Sequence, residues 1–178
     1  GNKETFKPII WALGAKYDFP TAQRQALVAD GAAWIWDIAA ELFPDATQIV
    51  DWYHALHHLN LATQTLYPND ELMQQKWLKA MQTHLYDGKL TLIIQPLIQA
   101  GHAELAHYFQ THQSRMTYTL FRQKGLPLGS GTVESGVKQF KHRLAGAGMR
   151  WKNENAQRMI VIRAAVLSHS FHALWQAA

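Results

Sequence analysis

Three acidic residues stand where their carboxylates could bind a divalent cation. Asp30 ends one short apolar run, Asp51 ends a second, and Glu134 follows a glycine-flanked loop. If both runs are parallel strands, the two aspartates lie about one interstrand spacing apart, roughly 4.7–4.9 Å, at the edge where ligands collect. Mg²⁺ prefers carboxylates together with water and phosphate oxygens, so this pattern indicates phosphoryl-transfer chemistry.

Each acid also has an ordinary structural explanation. An Asp-Gly pair after a strand is most often a turn, and a glutamate in the first turn of a helix is stabilised by the helix dipole. Spacing alone favours these explanations over a metal site.

The helix predicted around Glu134 is basic. Lys138 and Lys141 follow at offsets of four and seven and lie on or beside the face of Glu134, and Arg143 comes next. A metal-binding carboxylate and phosphate-binding cations would then lie side by side. The alternative is an intrahelical Glu–Lys pair.

Histidines follow Asp51. A helix that begins at Asp51 places Asp51 and His54 on one face, and His58 extends that face by one turn. These three residues could form an Asp/His metal site. A core or capping role is more common for such histidines, so a histidine-based metal protein ranks last among the alternatives.

Two short strands and a series of helices must position these residues. The runs 25–29 and 47–50 flank a helical pattern over 34–43, which predicts a βαβ unit with parallel strands. Beyond Asp51 the 3.6-residue period dominates, so the fold class is α/β, helix-dominated. Predicted helices cover 52–66, 70–85, 90–99, 102–112 and 132–144, and a last helix runs from an N-cap at Asn153 to about Trp175.

Composition excludes several classes of protein. The chain has 178 residues, 48% of them hydrophobic, and no cysteine, so a packed core is available and disulfide or thiolate sites are impossible. No apolar stretch approaches the roughly 20 residues that a membrane span needs, and no secretory signal is visible. We therefore expect no membrane association.

Charge is distributed unevenly along the chain. From Arg115 onward ten Lys or Arg stand against Glu134 and Glu154, whereas the preceding residues are net acidic. A basic C-terminal third fits a polyanion or is a solvated basic face, and charge alone does not decide between them. Trp151, between Arg150 and Lys152, is the tryptophan expected to be partly exposed beside a nucleic-acid backbone.

Several motifs together resemble the DDE transposases of bacterial insertion sequences, specifically the ISKra group. They are LVADGAAWIW (27–36), FPDA (43–46), IVDWYHA (49–55), GSGTVES (129–135), KQFKHR (138–143), GMRW (148–151) and AQRMIVIR (156–163). The resemblance spans nearly the whole chain and includes the D-x-x-H signature of Mutator-like groups.

The resemblance implies a partial RNase H-like fold in which two parallel strands are retained and a large all-helical insertion follows. Residues 1–54 would form the partial core, 55–128 the insertion, and 129–178 the Glu-bearing and C-terminal helices. Asp30 and Glu134 would be catalytic ligands of Mg²⁺ or Mn²⁺, and Asp51 and His54 would be the catalytic D-x-x-H pair. Contacts to DNA would come from Lys138, Lys141, Arg143, Arg150, Trp151 and Lys152.

The family also implies partners and a location. These are transposon ends and target DNA, a homo-oligomeric assembly, and the bacterial cytoplasm at the nucleoid. The family's first catalytic aspartate has no counterpart here, so we expect a transposase fragment that is inactive alone. The alternative is a non-catalytic helical DNA-binding or dimerisation module of transposase origin, and substitution of Asp51 for the missing ligand is a minority interpretation.

Overall fold

The computed structural model describes residues 3–176, and the side chains of all of these except residues 132 and 173–175. The chain divides into two compact units, Gly1–Gly129 and Ser130–Ala178. In the described part of the first unit α1 precedes a βαβ segment and five further α-helices follow, with short 3₁₀ helices at Phe19–Thr21 and Gln113–Arg115. The bounds are α1 Lys3–Lys16, β1 Ala26–Ala29, α2 Ala33–Leu42, β2 Thr47–Val50, α3 Trp52–Leu66, α4 Glu71–Tyr86, α5 Thr91–Gln99, α6 Ala103–Thr111 and α7 Tyr118–Gln123.

The predicted helix-dominated α/β class and the two parallel strands are confirmed. Strand β1 pairs with β2 in register, from Ala26 opposite Thr47 to Ala29 opposite Val50. The connecting helix α2 buries Trp36, Ile38 and Ala39. Because residues Asp30 and Asp51 directly follow the last paired residues, they occupy adjacent positions at the carboxyl end of the sheet.

The outer edge of β2 is covered by a tyrosine. The amides of Thr47 and Asp51 donate hydrogen bonds to the carbonyls of Gln25 and Ala29, respectively. Because the backbone groups of successive residues in a strand point to opposite sides, the carbonyl of Val50 points away from β1. The Val50 carbonyl accepts a hydrogen bond of 3.0 Å from the hydroxyl of Tyr118, which is fully buried. Tyr118 thereby satisfies a carbonyl that an open sheet edge would leave unpaired.

A two-stranded sheet is stable only with extensive helical cover, and one continuous core supplies that cover here. Ile49 and Val50 of β2 are fully buried against side chains of α3, α5 and α6. Residues of the segments 1–54 and 55–128 therefore share a single hydrophobic core. Its buried members are Trp36, Ile49, Val50, Ala55, Leu59, Ala62, Leu85, Leu90, Ile93, Ile94, Leu97, Ala106, Phe109, Met116, Tyr118 and Phe121.

Replacing Tyr118 by Phe should lower the free energy of unfolding by about 1–2 kcal/mol, because the Val50 carbonyl is left buried without a donor. Denaturant unfolding of the two proteins measures this difference. Tyr53→Phe is the control, since Tyr53 is 58% exposed and should change stability little. Equal stability of the Tyr118 variant and the wild type would contradict the role of this hydrogen bond.

The regular elements of the second unit's described part are three helices joined by short loops. It contains α8 Gly131–Leu144, α9 Asn153–Leu167 and α10 Phe171–Gln176. Helix α9 buries Ala165, and the Arg163 guanidinium donates to the Gln139 side chain of α8 at 3.1 Å.

Two predictions for the second unit were wrong. The N-cap of α9 is Lys152, and Asn153 is the first helical residue. The last helix also does not run unbroken to Trp175, because α9 ends at Leu167. There the Ser168 hydroxyl bonds the Ala164 carbonyl, and His169 adopts a left-handed backbone conformation with φ 54°. A side chain that binds the backbone locally competes with continuation of the helix.

Across residues 3–176, no helix combines the length and the apolar character that crossing a membrane requires.

Candidate active site

Asp30 lies in a tight turn after β1. Its side chain is exposed, and its Oδ1 accepts a hydrogen bond from the Ala32 amide at 3.0 Å. Gly31 has φ +105°, a conformation that glycine adopts without steric cost. The turn explanation of this Asp-Gly pair is therefore correct. It leaves Oδ2 without a hydrogen-bond partner among residues 3–176, so the turn is compatible with ligand binding.

Asp51 begins α3 as its N-cap, which confirms the predicted start of that helix. Oδ1 accepts from the amides of Tyr53 at 2.8 Å and His54 at 3.1 Å, two donors that the first helical turn leaves without an intrahelical partner. The residue is 5% exposed, and its own amide donates to the Ala29 carbonyl at 2.7 Å. Asp51 therefore ties both strands to the helix that carries His54.

The glycine-flanked loop comes close to Asp51. The Leu128 carbonyl accepts from the Trp52 amide at 2.9 Å. A Cβ on Gly129 would lie 3.3 Å from the Tyr53 ring and 3.6 Å from Oδ2 of Asp51. The absence of a side chain at Gly129 thus allows the loop to pass close to the Tyr53 ring and the Asp51 carboxylate.

Four rings form a cluster beside the two aspartates, which we call the imidazole–phenol cluster: His54, His58, Tyr108 and His112. The His58 and Tyr108 rings are stacked, with centroids 3.6 Å apart and planes inclined by 13°. The other two rings pack edge-on against this stack. The His54 ring lies 5.0 Å from the His58 ring, and the His112 ring lies 5.0 Å from the Tyr108 ring, measured between centroids. Helix α3 supplies the first two rings, and α6 with the residue after it supplies the others.

The cluster packs against the turn that carries Asp30. A Cβ on Gly31 would lie 3.2 Å from Nε2 of His112 and 3.4 Å from Cε2 of Tyr108. His112 is 6% exposed, yet its Nδ1 has no hydrogen-bond partner among the described residues, and neither has the buried Tyr108 hydroxyl. Buried unpaired polar atoms are costly, so each of these two atoms calls for an explanation that the described residues do not supply.

Burial and neighbouring charges set the protonation of the cluster. Burial, reinforced by the carboxylates of Asp30 and Asp51, raises the pKa of Tyr108 well above its usual value, so the phenol stays protonated. Burial first, and then the charges of the neighbouring histidines, lower the pKa of His58 to about 4. The pKa of His112 is lowered by burial and by Arg115. Near neutral pH His58 is therefore uncharged and Tyr108 keeps its proton.

The depressed pKa of His58 makes stability depend on pH. Its imidazole takes up a proton near pH 6.5 in the unfolded chain but only near pH 4 in the folded one. Stability should therefore be complete above pH 6.5 and fall by about 1–2 kcal/mol toward pH 4, after allowance for solvent screening. His58→Phe keeps a ring for stacking and should flatten the curve of unfolding free energy against pH. An unchanged curve would contradict this assignment.

The side chains at this end of the sheet include the type of ligand that a hard cation prefers, but too few of them to form a complete metal site. Carboxylate oxygens are the ligands that Mg²⁺ prefers, and Asp30 and Asp51 supply them. Among residues 3–176, however, no group of three or more His, Asp or Glu side chains is arranged to hold a metal ion. His58, a member of the histidine metal site considered from the sequence, stacks on the Tyr108 ring.

Glu134 and the predicted DNA-binding residues belong to the second unit. Glu134 lies in the first turn of α8 with its side chain exposed. The cations Lys138, Lys141, Arg143, Arg150 and Lys152 are exposed as well. Trp151 is 40% exposed, as predicted, and its indole donates to the Leu144 carbonyl at 2.9 Å. This bond fixes the loop that presents Arg150 and Lys152.

The first unit thus brings Asp30, Asp51 and His54 to one end of the sheet, as the strand pattern predicted. Sequence reasoning missed Tyr108 and His112. The available signal was their i, i+4 spacing at the end of a helix and its C-cap, where the neighbouring Ala106 and Phe109 are apolar and buried. Polar rings on a buried helical face indicate a site or a hydrogen-bond network.

In comparisons with known proteins, no family model matches the chain, no curated protein matches its sequence, and no solved structure matches its fold. The transposase resemblance therefore rests on the sequence motifs.

Proposed function

We propose that this chain carries catalytic residues of a DDE-type DNA transposase, an enzyme that cleaves phosphodiester bonds and transfers strands with divalent metal ions. The observation that carries the proposal is the placement of Asp30 and Asp51 at the adjacent carboxyl ends of two parallel strands. This is the edge at which α/β folds bind ligands. The ordered family motifs around both residues support the same function, as does an RNase H-like interpretation of the βαβ segment.

Each residue has a distinct part in this mechanism. Asp30 and Glu134 would hold Mg²⁺ or Mn²⁺, which when bound supplies Lewis-acid activation of the attacking oxygen and stabilises the leaving oxygen. Asp51 holds the start of α3 in place and orients His54 at the same edge. Exposed Lys and Arg side chains of the second unit would bind backbone phosphates without reading base sequence.

Titration calorimetry with Mn²⁺ tests the metal ligands. We expect Asp30→Asn and Glu134→Gln each to weaken Mn²⁺ binding by at least about tenfold, because each removes a charged oxygen ligand. Matched controls are Asp45→Asn, an exposed acid of the first unit, and Glu154→Gln, an acid in the first turn of α9. Absence of Mn²⁺ binding by the wild type, or equal binding by all variants, would overturn the metal assignment.

Salt dependence tests the contact with DNA. Replacing Arg150 and Lys152 by Ala should weaken binding to mixed-sequence duplexes uniformly and reduce the slope of log affinity against log salt by about 2, since two phosphate contacts are lost. Lys76→Ala with Lys79→Ala is the charge-matched control on α4. If the control pair changes the slope as much as the test pair, the basic loop is not the contact surface.

A non-catalytic DNA-binding module is the second candidate. It is favoured by the absence of a three-residue metal group among residues 3–176, together with the exposed cations of the second unit. The two candidates differ in the calorimetric result, because a binding module needs DNA affinity but no Mn²⁺ affinity at Asp30.

A further inference from the structure

Strand β1 has one paired edge and one open edge. The Thr47 amide donates a hydrogen bond to the Gln25 carbonyl, so the odd-numbered residues of β1 direct their backbone groups toward β2. The N–H and C=O groups of Ala26 and Val28 therefore point to the other side. Among residues 3–176 these groups have no hydrogen-bond partner, because the described sheet ends at β1.

This open edge carries none of the features that usually protect an exposed strand. Such edges have a charged side chain, a proline or a bulge. The four residues of β1 are Ala, Leu, Val and Ala, all half-buried, and the pairing with β2 runs without a bulge. The outer edge of β2 differs, because the Tyr118 hydroxyl bonds its Val50 carbonyl. The edge of β1 is thus suited to pair with an added strand.

A second copy of β1 in antiparallel orientation matches this edge. When Leu27 of one copy lies opposite Leu27 of the other, Ala26 lies opposite Val28. Residues paired in this way exchange two hydrogen bonds, and twofold symmetry repeats the pair. The outward-pointing groups of Ala26 and Val28 are then all satisfied in both copies.

Charge complementarity favours this orientation and register. Continuing the alignment by two residues at each end places Arg24 of one copy opposite Asp30 of the other, and both side chains are exposed. Opposite charges across an antiparallel pair are stabilising, whereas a parallel pair of identical strands would bring Arg24 near Arg24. The guanidinium uses Nη1 to bind the Lys124 carbonyl and has further N–H donors. The carboxylate uses Oδ1 to accept from the Ala32 amide, which leaves Oδ2 for the guanidinium.

We propose that the open edge of β1 binds β1 of a second copy of this chain, in antiparallel orientation with Leu27 opposite Leu27. The resulting homodimer has one continuous sheet in the order β2–β1–β1–β2, to which each copy contributes its two strands. A two-stranded sheet is marginal by itself, and additional strands stabilise it. The inference is independent of the proposed function, since it rests on the backbone groups and charges that border β1 and involves no metal and no DNA.

A cysteine cross-link tests the register, because the chain has no cysteine of its own. In Leu27→Cys the two thiols face each other at a non-hydrogen-bonded pair, where the Cα atoms lie roughly 4.5 Å apart, within the range of a disulfide. Mild oxidation of the full chain should therefore give a covalent dimer on a non-reducing gel. Ala26→Cys is the matched control. Its two Cα atoms lie on a diagonal, about 7–8 Å apart, so it should cross-link at least about tenfold more slowly.

Sedimentation equilibrium of the full chain tests the association itself. We expect a monomer–dimer equilibrium that Val28→Pro shifts to the monomer, because proline removes an outward N–H group and its ring blocks the edge. That N–H group makes no bond among the described residues, so the variant should keep the circular dichroism spectrum of the folded chain.

Charge reversal tests the predicted ion pairs. Arg24→Glu turns both attractions into repulsions and should raise the Kd of the dimer by about tenfold. Adding Asp30→Arg to it should restore most of the affinity. Lys79→Glu, at an exposed cation of α4, makes the same change in net charge and should leave the Kd unchanged.

Three results would overturn the proposal. The first is a chain that sediments as a monomer at every concentration, and the second is equal cross-linking of the two cysteine variants. The third is a dimer that Arg24→Glu weakens no more than Lys79→Glu does. If Val28→Pro fails to fold, the cysteine and charge-reversal variants decide the question.

Discussion

Replacing Asp51 by Ala should lower the free energy of unfolding by about 2–4 kcal/mol, because one carboxylate oxygen caps two amides in a buried position. Loss of the cap leaves the amides of Tyr53 and His54 without an acceptor at a site that is 5% exposed. Denaturant unfolding and the melting temperature both measure this loss.

Asp51→Asn separates the structural role of this residue from a role of its charge. The amide oxygen of Asn can still accept from both backbone amides, so this variant should retain most of the stability that Ala loses. Asp70→Ala is the matched control, because Asp70 is an exposed N-cap of α4 that accepts one amide, from Met73. It should cost about 0.5–1 kcal/mol. An Ala variant at Asp51 as stable as wild type would contradict the capping role.

Replacing Gly31 by Ala should lower the free energy of unfolding by about 2–3 kcal/mol for two separate reasons. The backbone has φ +105°, where a side chain is strained. The new Cβ would also lie 3.2 Å from Nε2 of the buried His112, which has little room to move. Displacement of His112 would disturb the imidazole–phenol cluster and the turn that carries Asp30, so Mn²⁺ binding should fall together with stability.

Gly101→Ala isolates the backbone contribution. Gly101 has φ +82°, and a Cβ there would meet nothing within 4 Å. Its substitution should therefore cost only the strain of the left-handed conformation, about 1–2 kcal/mol. The excess cost at Gly31 measures the contact with His112. Equal losses of unfolding free energy in the two variants would show that His112 moves aside without a measurable loss of stability.

Local patterns predicted the elements that carry the candidate site. The bounds of β2 and α3 were predicted to the residue, because an apolar run that ends at a capping aspartate is a signal confined to a few neighbours. The same kind of signal failed at Asn153. Asn153 is a favourable capping residue, but it is already the first residue of α9. The N-cap is Lys152, which has an extended backbone and makes no capping hydrogen bond with its side chain.

The tertiary structure alone identified the imidazole–phenol cluster. Tyr108 and His112 are distant from Asp30 in the sequence, and no local period relates them to the turn at Gly31. Their proximity depends on how α6 packs on the core that covers the sheet. Which polar atoms are buried and left unpaired is a property of that packing, so it cannot be read from the order of residues.

The sequence by itself thus determined the class of fold, the strand ends that bear Asp30 and Asp51, and the capping role of Asp51. Each of these depends on interactions between residues close in the chain, such as hydrogen bonds within a turn and the periodicity of apolar side chains. Only the tertiary structure decided that Tyr118 closes the edge of β2 and that Tyr108 remains an unpaired donor. The two hydroxyls differ because that of Tyr118 meets the Val50 carbonyl, whereas that of Tyr108 meets no acceptor among the described residues.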